Sequence, residues 1–192
     1  PLYGQQEGRH FHGYYDCYCY LPLYIFCGRH LLAAKLRTSS VDAADGSVAE
    51  VARIIAQIRA RWPATTIVIR ADSGFCRDDL MTWCEVSDVQ YVLGQAGNSR
   101  LVRKLTPEMR KARLRAKRTG QPARVFADID YRTRRSWSTK RRVIGKAEWT
   151  NGAANPRFIV TNIHAAFGAA RSSPRENASL MRRRTRRSWN QL

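Results

Sequence analysis

Apolar residues recur with two different periods along the first half of the chain, and the switches between them predict its elements. Residues 1–16, PLYGQQEGRHFHGYYD, follow neither period; polar, aromatic and with three glycines, they read as a loop leading into a strand. Residues 17–27, CYCYLPLYIFC, are rich enough in aromatic and β-branched side chains for a strand, and Pro22 marks an edge or a bulge in it. Gly28-Arg29 is a two-residue turn of hairpin type, and residues 30–37, HLLAAKLR, return as a second strand. After a loop over 38–46, Ser47-Val48-Ala49-Glu50 has the form of a capping box. Val48, Val51, Ile55, Ile58 and Trp62 then recur at steps of three and four, one face of a helix that Pro63 stops. Residues 66–71 read as a strand with Asp72 at its end. Ser73-Gly74 make a turn, and a helix over about 78–87 carries Asp78 and Asp79 in its first turn, where the helix dipole favours them. Leu80, Met81 and Cys84 would face the core, and residues 89–94, VQYVLG, form another short strand. A hairpin followed by strands alternating with helices predicts an α/β fold, a mixed sheet with flanking helices.

The second half has a different texture. Residues 98–118 permit a helix but lack a wide apolar face, which predicts a helix lying on the surface. Three strand-like runs follow, 124–132, 141–149 and 157–163, and the first alternates, with Val125, Ala127, Ile129 and Tyr131 on one face. An antiparallel meander is expected. From 165 to 192 apolar periodicity vanishes and Ser, Arg and Asn dominate, which reads as a disordered, polycationic tail. Three units are therefore expected: an α/β core over 1–97, a basic helix with a β-rich insertion over 98–163, and the tail over 164–192.

Charge sharpens this division. The net charge of +19 resides wholly in the second part: residues 1–100 hold ten Lys/Arg and ten Asp/Glu, and residues 101–192 hold twenty-four and five. Such a field attracts polyanions, nucleic acid above all, although a solvated basic surface that selects nothing has the same composition. The candidate DNA-binding residues are Arg100, Arg103 and Lys104 on the basic helix, with Arg134, Arg135, Trp137, Lys140, Arg141 and Arg142 on the connection 132–142, RTRRSWSTKRR. There, cations around an indole would hold phosphates and stack on a base, or form a solvated hairpin tip.

The five cysteines include no C-x-x-C pair and read as reduced, buried thiols of a cytosolic protein, not as zinc ligands. His10 and His12, two apart in the expected loop, likewise read as non-ligating. The longest apolar stretch, eleven residues with Pro22 inside it, is too short to span a membrane. A chain that opens at Pro1 inside a motif-like stretch is expected to be a fragment of a longer product.

Asp72 is the residue around which these elements are arranged. In open α/β sheets, ligands and catalytic groups gather beyond the carboxyl ends of strands; a carboxylate there also serves simply to cap a turn. The surrounding text, HGYYDCYCYLPLYIFCGRHLLAAKLR, then WP…IVIRADSGF, then WCE…YVLGQAGNSRL, then KAEW…NPRFIVTNI, resembles bacterial insertion-sequence transposases with a DDE domain of the group 1 type, from about residue 4 to residue 163. The resemblance implies a ribonuclease H-like fold with a β-rich insertion, here incomplete, and a nucleoid-associated, cytoplasmic bacterial protein. Its partners would be transposon-end and target DNA, with no membrane, and complete relatives would work as homodimers. It implies cutting and joining of DNA with two Mg²⁺ (or Mn²⁺) ions held by three carboxylates, because hard oxygen ligands suit these ions and two metals polarise the scissile phosphate and its attacker.

Asp72 matches the second acid, a catalytic and metal-binding position. The strand of the first acid would precede Pro1, and Asp16 matches a different position. The third acid, a Glu set among Tyr, Arg and Lys on a helix after residue 163, has no match: no Tyr follows Tyr131, no Lys follows Lys146, and Glu176, the only acid after Glu148, has unsuitable neighbours. A frameshift near His164 would account for the change of texture. The resulting expectation is a DDE transposase core, inactive for lack of partner acids; the alternatives are a non-catalytic nucleic-acid-binding protein or an unstable pseudogene product.

Overall fold

The computed structural model describes residues 2, 4–150 and 152–163. Two small antiparallel ribbons come first: β1 (His10–His12) with β2 (Cys17–Cys19), and β3 (Leu23–Cys27) with β4 (His30–Lys35). A five-stranded sheet follows in the order β5 (Val68–Ala71), β6 (Gln90–Gln95), β9 (Ala153–Thr161), β8 (Arg141–Thr150), β7 (Ala123–Tyr131). Its helices are α1 (Ser47–Arg61), α2 (Asp78–Val86) and α3 (Ser99–Thr119). β5 and β6 are parallel and every other neighbouring pair is antiparallel, so the sheet is mixed, as the alternation of periods predicted. The tail expected to be disordered, 164–192, lies outside the described residues.

Several local expectations are corrected. The run 17–27 is two strands, β2 and β3, because Pro22 has no amide to give a ladder; around it Tyr20 bridges to Thr38 and the Leu21 amide donates to the Arg37 carbonyl. The hairpin β3–β4 pairs within itself and does not join the main sheet. His10 and His12 stand on a strand, not in a loop. The capping box is not formed: Gly46 is the N-cap in a left-handed conformation, Glu50 instead pairs with Arg53, and the Ser47 hydroxyl is buried without a partner. Buried thiols are confined to Cys76 and Cys84; Cys17 and Cys19 are partly exposed and Cys27 is exposed.

The core lies between the sheet and the helices α2 and α3. Leu80, Met81 and Cys84 from α2 and Leu101, Leu105 and Ala112 from α3 pack on Tyr91, Leu93, Val143, Ala147, Phe158 and Val160. The alternation in β7 holds as read, with Ala123, Ile129 and Tyr131 buried and Arg124, Phe126, Asp128 and Asp130 exposed. Although α3 is strongly basic, it is no free surface helix. Its narrow stripe of Leu101, Leu105 and Ala112 is fully buried, and Gly145 makes room for it: a Cβ there would stand 2.7 Å from Leu105 Cδ1. Asn98 caps α3 by accepting from the Arg100 and Leu101 amides at 3.1 Å each, and Gly120 ends it in the left-handed conformation.

Candidate functional site

Asp72 follows β5 directly and is exposed. Its Oδ1 accepts the Gly74 amide at 2.8 Å, so the carboxylate caps the single 3₁₀ turn Ser73–Phe75 that leads to α2. The turn rests on β6 at Gly94, where a Cβ would meet the Ser73 amide nitrogen at 2.9 Å and the Asp72 carbonyl carbon at 3.1 Å. Only a glycine permits that approach, and an isolated glycine in a strand pattern was the available signal for it. On the other side, a Cβ at Gly74 would touch Ala43 at 3.4 Å, so the 42–45 loop packs against the turn. Arg37 shapes that loop. Nearly buried, it donates to the carbonyls of Leu21 (3.0 Å), Ala43 (3.1 Å) and Asp45 (2.5 Å), linking the β3–β4 region to the site. A lone Arg at the end of a strand pattern gave no sign of this.

Asp42 on the same loop forms an ion pair with Arg77 at 2.7 Å, and this guanidinium hydrogen bond, with the Ala44 amide, holds its carboxyl below the usual range. The other acids considered from the sequence are placed elsewhere. Asp16 is exposed in the turn between β1 and β2, in a left-handed conformation. Glu148 is buried in β8, where burial pushes its pKa up but hydrogen bonds from Lys146 (2.9 Å) and Arg124 outweigh this and hold it low. Glu176 lies outside the described residues. Among the described residues, no three His, Cys, Asp or Glu side chains gather to hold an ion. A two-metal carboxylate site is therefore not fitted by them: Asp72 offers one carboxylate, already accepting an amide, and Asp42 is committed to Arg77.

The basic connection is tied to the helix that follows Asp72. Ser138 donates to Asp78 Oδ1 through its amide (3.0 Å) and its hydroxyl (3.1 Å). Arg141, 5% exposed, pairs with Asp78 (2.5 Å) and Glu85 (2.7 Å) and donates to Thr82 at 2.9 Å. Glu85 also accepts the Tyr91 hydroxyl at 2.7 Å. Burial raises the pKa of Asp78, but the Ser138 and Arg141 hydrogen bonds outweigh it and the net shift is downward. Trp137 is 5% exposed, edge-on to Tyr131 at 5.7 Å and beneath the Arg141 guanidinium at 5.9 Å.

The expectation of an indole stacking on a base is thus corrected: a ring held in the core has no face to offer. Arg141 is likewise taken up by two carboxylates, and Arg142 by Asp128 (2.6 Å) and the Ile163 carbonyl. Arg134, Arg135 and Lys140 are exposed on the connection, and Arg103 and Lys104 on α3. Arg100 joins the two groups, stacked over Tyr131 at 5.3 Å and donating to the Arg132 carbonyl at 3.3 Å. The structure therefore divides the sequence's basic candidates into exposed cations and a buried anchor beneath them. Asp78 and Glu85, the acids of that anchor, were legible only as helix residues.

Compared with known families, residues 1–184 match the family model described as transposase DDE domain group 1. The match runs past residue 163, where the resemblance read from the sequence ended, and into the arginine-rich segment. A comparison with curated proteins finds no match.

Proposed function

The chain belongs to the group 1 transposase DDE domains, a family of DNA transposition that works with divalent metals, and from that premise we propose that it is a DNA-binding transposase core in which Asp72 occupies the position of one of the family's metal-binding acids. One observation carries the reading: within a match covering residues 1–184, Asp72 stands exposed at the carboxyl end of β5, on a turn that Gly94 admits against the neighbouring parallel strand. The parallel pair β5–β6 joined through α2 supports a ribonuclease H-like core.

DNA contact is assigned to Arg100, Arg103, Lys104, Arg134, Arg135 and Lys140; Trp137, Arg141 and Arg142 act beneath them by holding the connection on α2 and β7. Alone, the described residues do not cut DNA, because one carboxylate cannot position two ions whose charge must offset that of the transition-state phosphate. The test uses duplex DNA carrying the inverted repeats that flank the coding sequence. Binding is expected to weaken steeply with salt and to persist in Asp72→Ala, with no Mg²⁺- or Mn²⁺-dependent nicking. Nicking that vanishes in Asp72→Ala would overturn the assignment of inactivity, and salt-insensitive or absent binding would overturn the DNA-binding core.

A further inference from the structure

We propose that the outer face of the β3–β4 ribbon is the contact through which the chain pairs with a second copy of itself. The register sets Tyr24 opposite Ala34 and Phe26 opposite Leu31. Directly opposed residues of an antiparallel pair share a face, as do residues two apart along a strand. Leu23 and Ile25 therefore occupy the other face, with Lys35 and Ala33 across from them. Burial tells the two faces apart. Leu23 is buried and Ile25 and Ala33 are half-buried, while Lys35 reaches the start of α1, its Nζ 3.6 Å from where a Cβ on Gly46 would stand. That face lies against the body of the molecule. Tyr24, Phe26 and Leu31 on the opposite face are each more than half exposed, and so is Leu36 just beyond β4. The Tyr24 and Phe26 rings stand 6.3 Å apart, so the aromatic surface is continuous.

An antiparallel ribbon with one face on a core ordinarily turns polar side chains to water on the other. Here both faces are apolar, the pattern of strands covered on both sides. Among the described residues, β3 and β4 form a sheet only with each other, and a two-stranded ribbon is marginal in water without further cover. The exposed side chains offer roughly 500 Å² of apolar surface per chain, as much as the interaction patches of soluble proteins. Packed face to face about a two-fold axis, two such surfaces bury roughly 1,000 Å² in total, the size at which a specific contact between proteins holds. Charge selects the occupant. The ribbon's Arg29 lies in the turn and its Lys35 on the inner face, so the outer face gives a polyanion nothing to hold. Residues 1–100 carry ten Lys/Arg and ten Asp/Glu, so two copies meet here without net repulsion, whereas contact through residues 101–192 would oppose twenty-four cations and five acids to their like. An apolar face that bears no charge is complementary to its own copy.

The test is sedimentation equilibrium of the full chain over a range of concentrations, at high salt so that bound nucleic acid is shed. A discrete monomer–dimer equilibrium is expected. Tyr24→Thr with Phe26→Thr, which keeps the strand propensity, is expected to raise the dimer dissociation constant at least about tenfold. Leu114→Gln, which removes an exposed apolar side chain from α3, is expected to leave it unchanged. A readout that needs no variant is amide hydrogen exchange of the parent chain, in which residues 23–36 are expected to gain protection as concentration rises through the dimer range. A monomer at every concentration, open-ended association without a dimer plateau, a dimer indifferent to the double substitution, or protection of 23–36 that ignores concentration would each overturn the contact. The face includes none of the residues assigned to DNA and not Asp72, so this reading and the DNA-binding one fail separately.

Discussion

Gly94 carries the most information of any single residue near Asp72. A Cβ at this position meets the peptide unit that joins Asp72 to Ser73, with Ser73 N at 2.9 Å and Asp72 C at 3.1 Å, and backbone in a packed turn cannot swing away as a side-chain tip can. Gly94→Ala is expected to destabilise the fold by about 1–3 kcal/mol, the usual cost of overpacking. A denaturant midpoint unchanged from the parent would contradict this close approach. The cysteines make a second residue-scale prediction. Burial pushes Cys76 up to about 11 and Cys84 up to about 12, so at mildly alkaline pH both remain thiols and are shielded as well. Brief alkylation of the native chain, read by mass spectrometry, is expected to modify Cys27 and spare Cys76 and Cys84. Prompt labelling of Cys84 would mean that α2 is not packed on β6 as described.

At the scale of elements, the tie between α2 and β8 is concentrated in Arg141. Its removal leaves Asp78 and Glu85 partly buried without their cation, so Arg141→Met is expected to cost about 3–5 kcal/mol, measured by chemical denaturation. A cost within experimental error would show that the packing of Trp137 and the Ser138–Asp78 hydrogen bonds hold the connection without Arg141. Helix α3 offers the opposite case. Pro107 sits inside it, exposed, and deprives the Arg103 carbonyl of an amide donor. Pro107→Ala is expected to stabilise the chain by about 1–3 kcal/mol, because the stripe of Leu101, Leu105 and Ala112 that fixes the helix is untouched. A lower melting temperature for this variant would refute the reading.

At the scale of the molecule, ion pairs set the response to acid. Asp42, Asp78 and Glu148 all have folded-state pKa values below the ordinary carboxylate range. The stability they contribute is complete above their unfolded values and is lost as pH falls through the lower, folded ones, below about pH 4. The melting temperature is therefore expected to hold from neutrality to about pH 5 and then to drop. A steady decline beginning near pH 6–7 would point to histidines instead. The asymmetric charge acts over the same scale. Replacing exposed Arg134 and Lys140 together by Ala is expected to reduce the slope of log binding constant against log salt by roughly 2, leaving the fold unaltered, whereas Arg141→Met acts through the fold.

Much of the architecture follows from the sequence alone, because it depends on short-range periodicity. The 3.6-residue stripe of α1, the alternation of β7, the apolar run ending at Asp72 and the charge step near residue 100 are local patterns, and each fixes an element or a field without reference to the rest of the chain. What depends on distant partners was decided only by the tertiary structure. The basic connection and the buried Trp137 share one stretch of sequence, yet packing on α2 separates exposed cations from an anchor. Ser47-x-x-Glu50 has the form of a capping box, but Gly46 takes the cap and Arg53 takes the glutamate. Spacing along a chain encodes the period of an element, whereas a site is encoded in which elements meet, and that is settled by burial of the core.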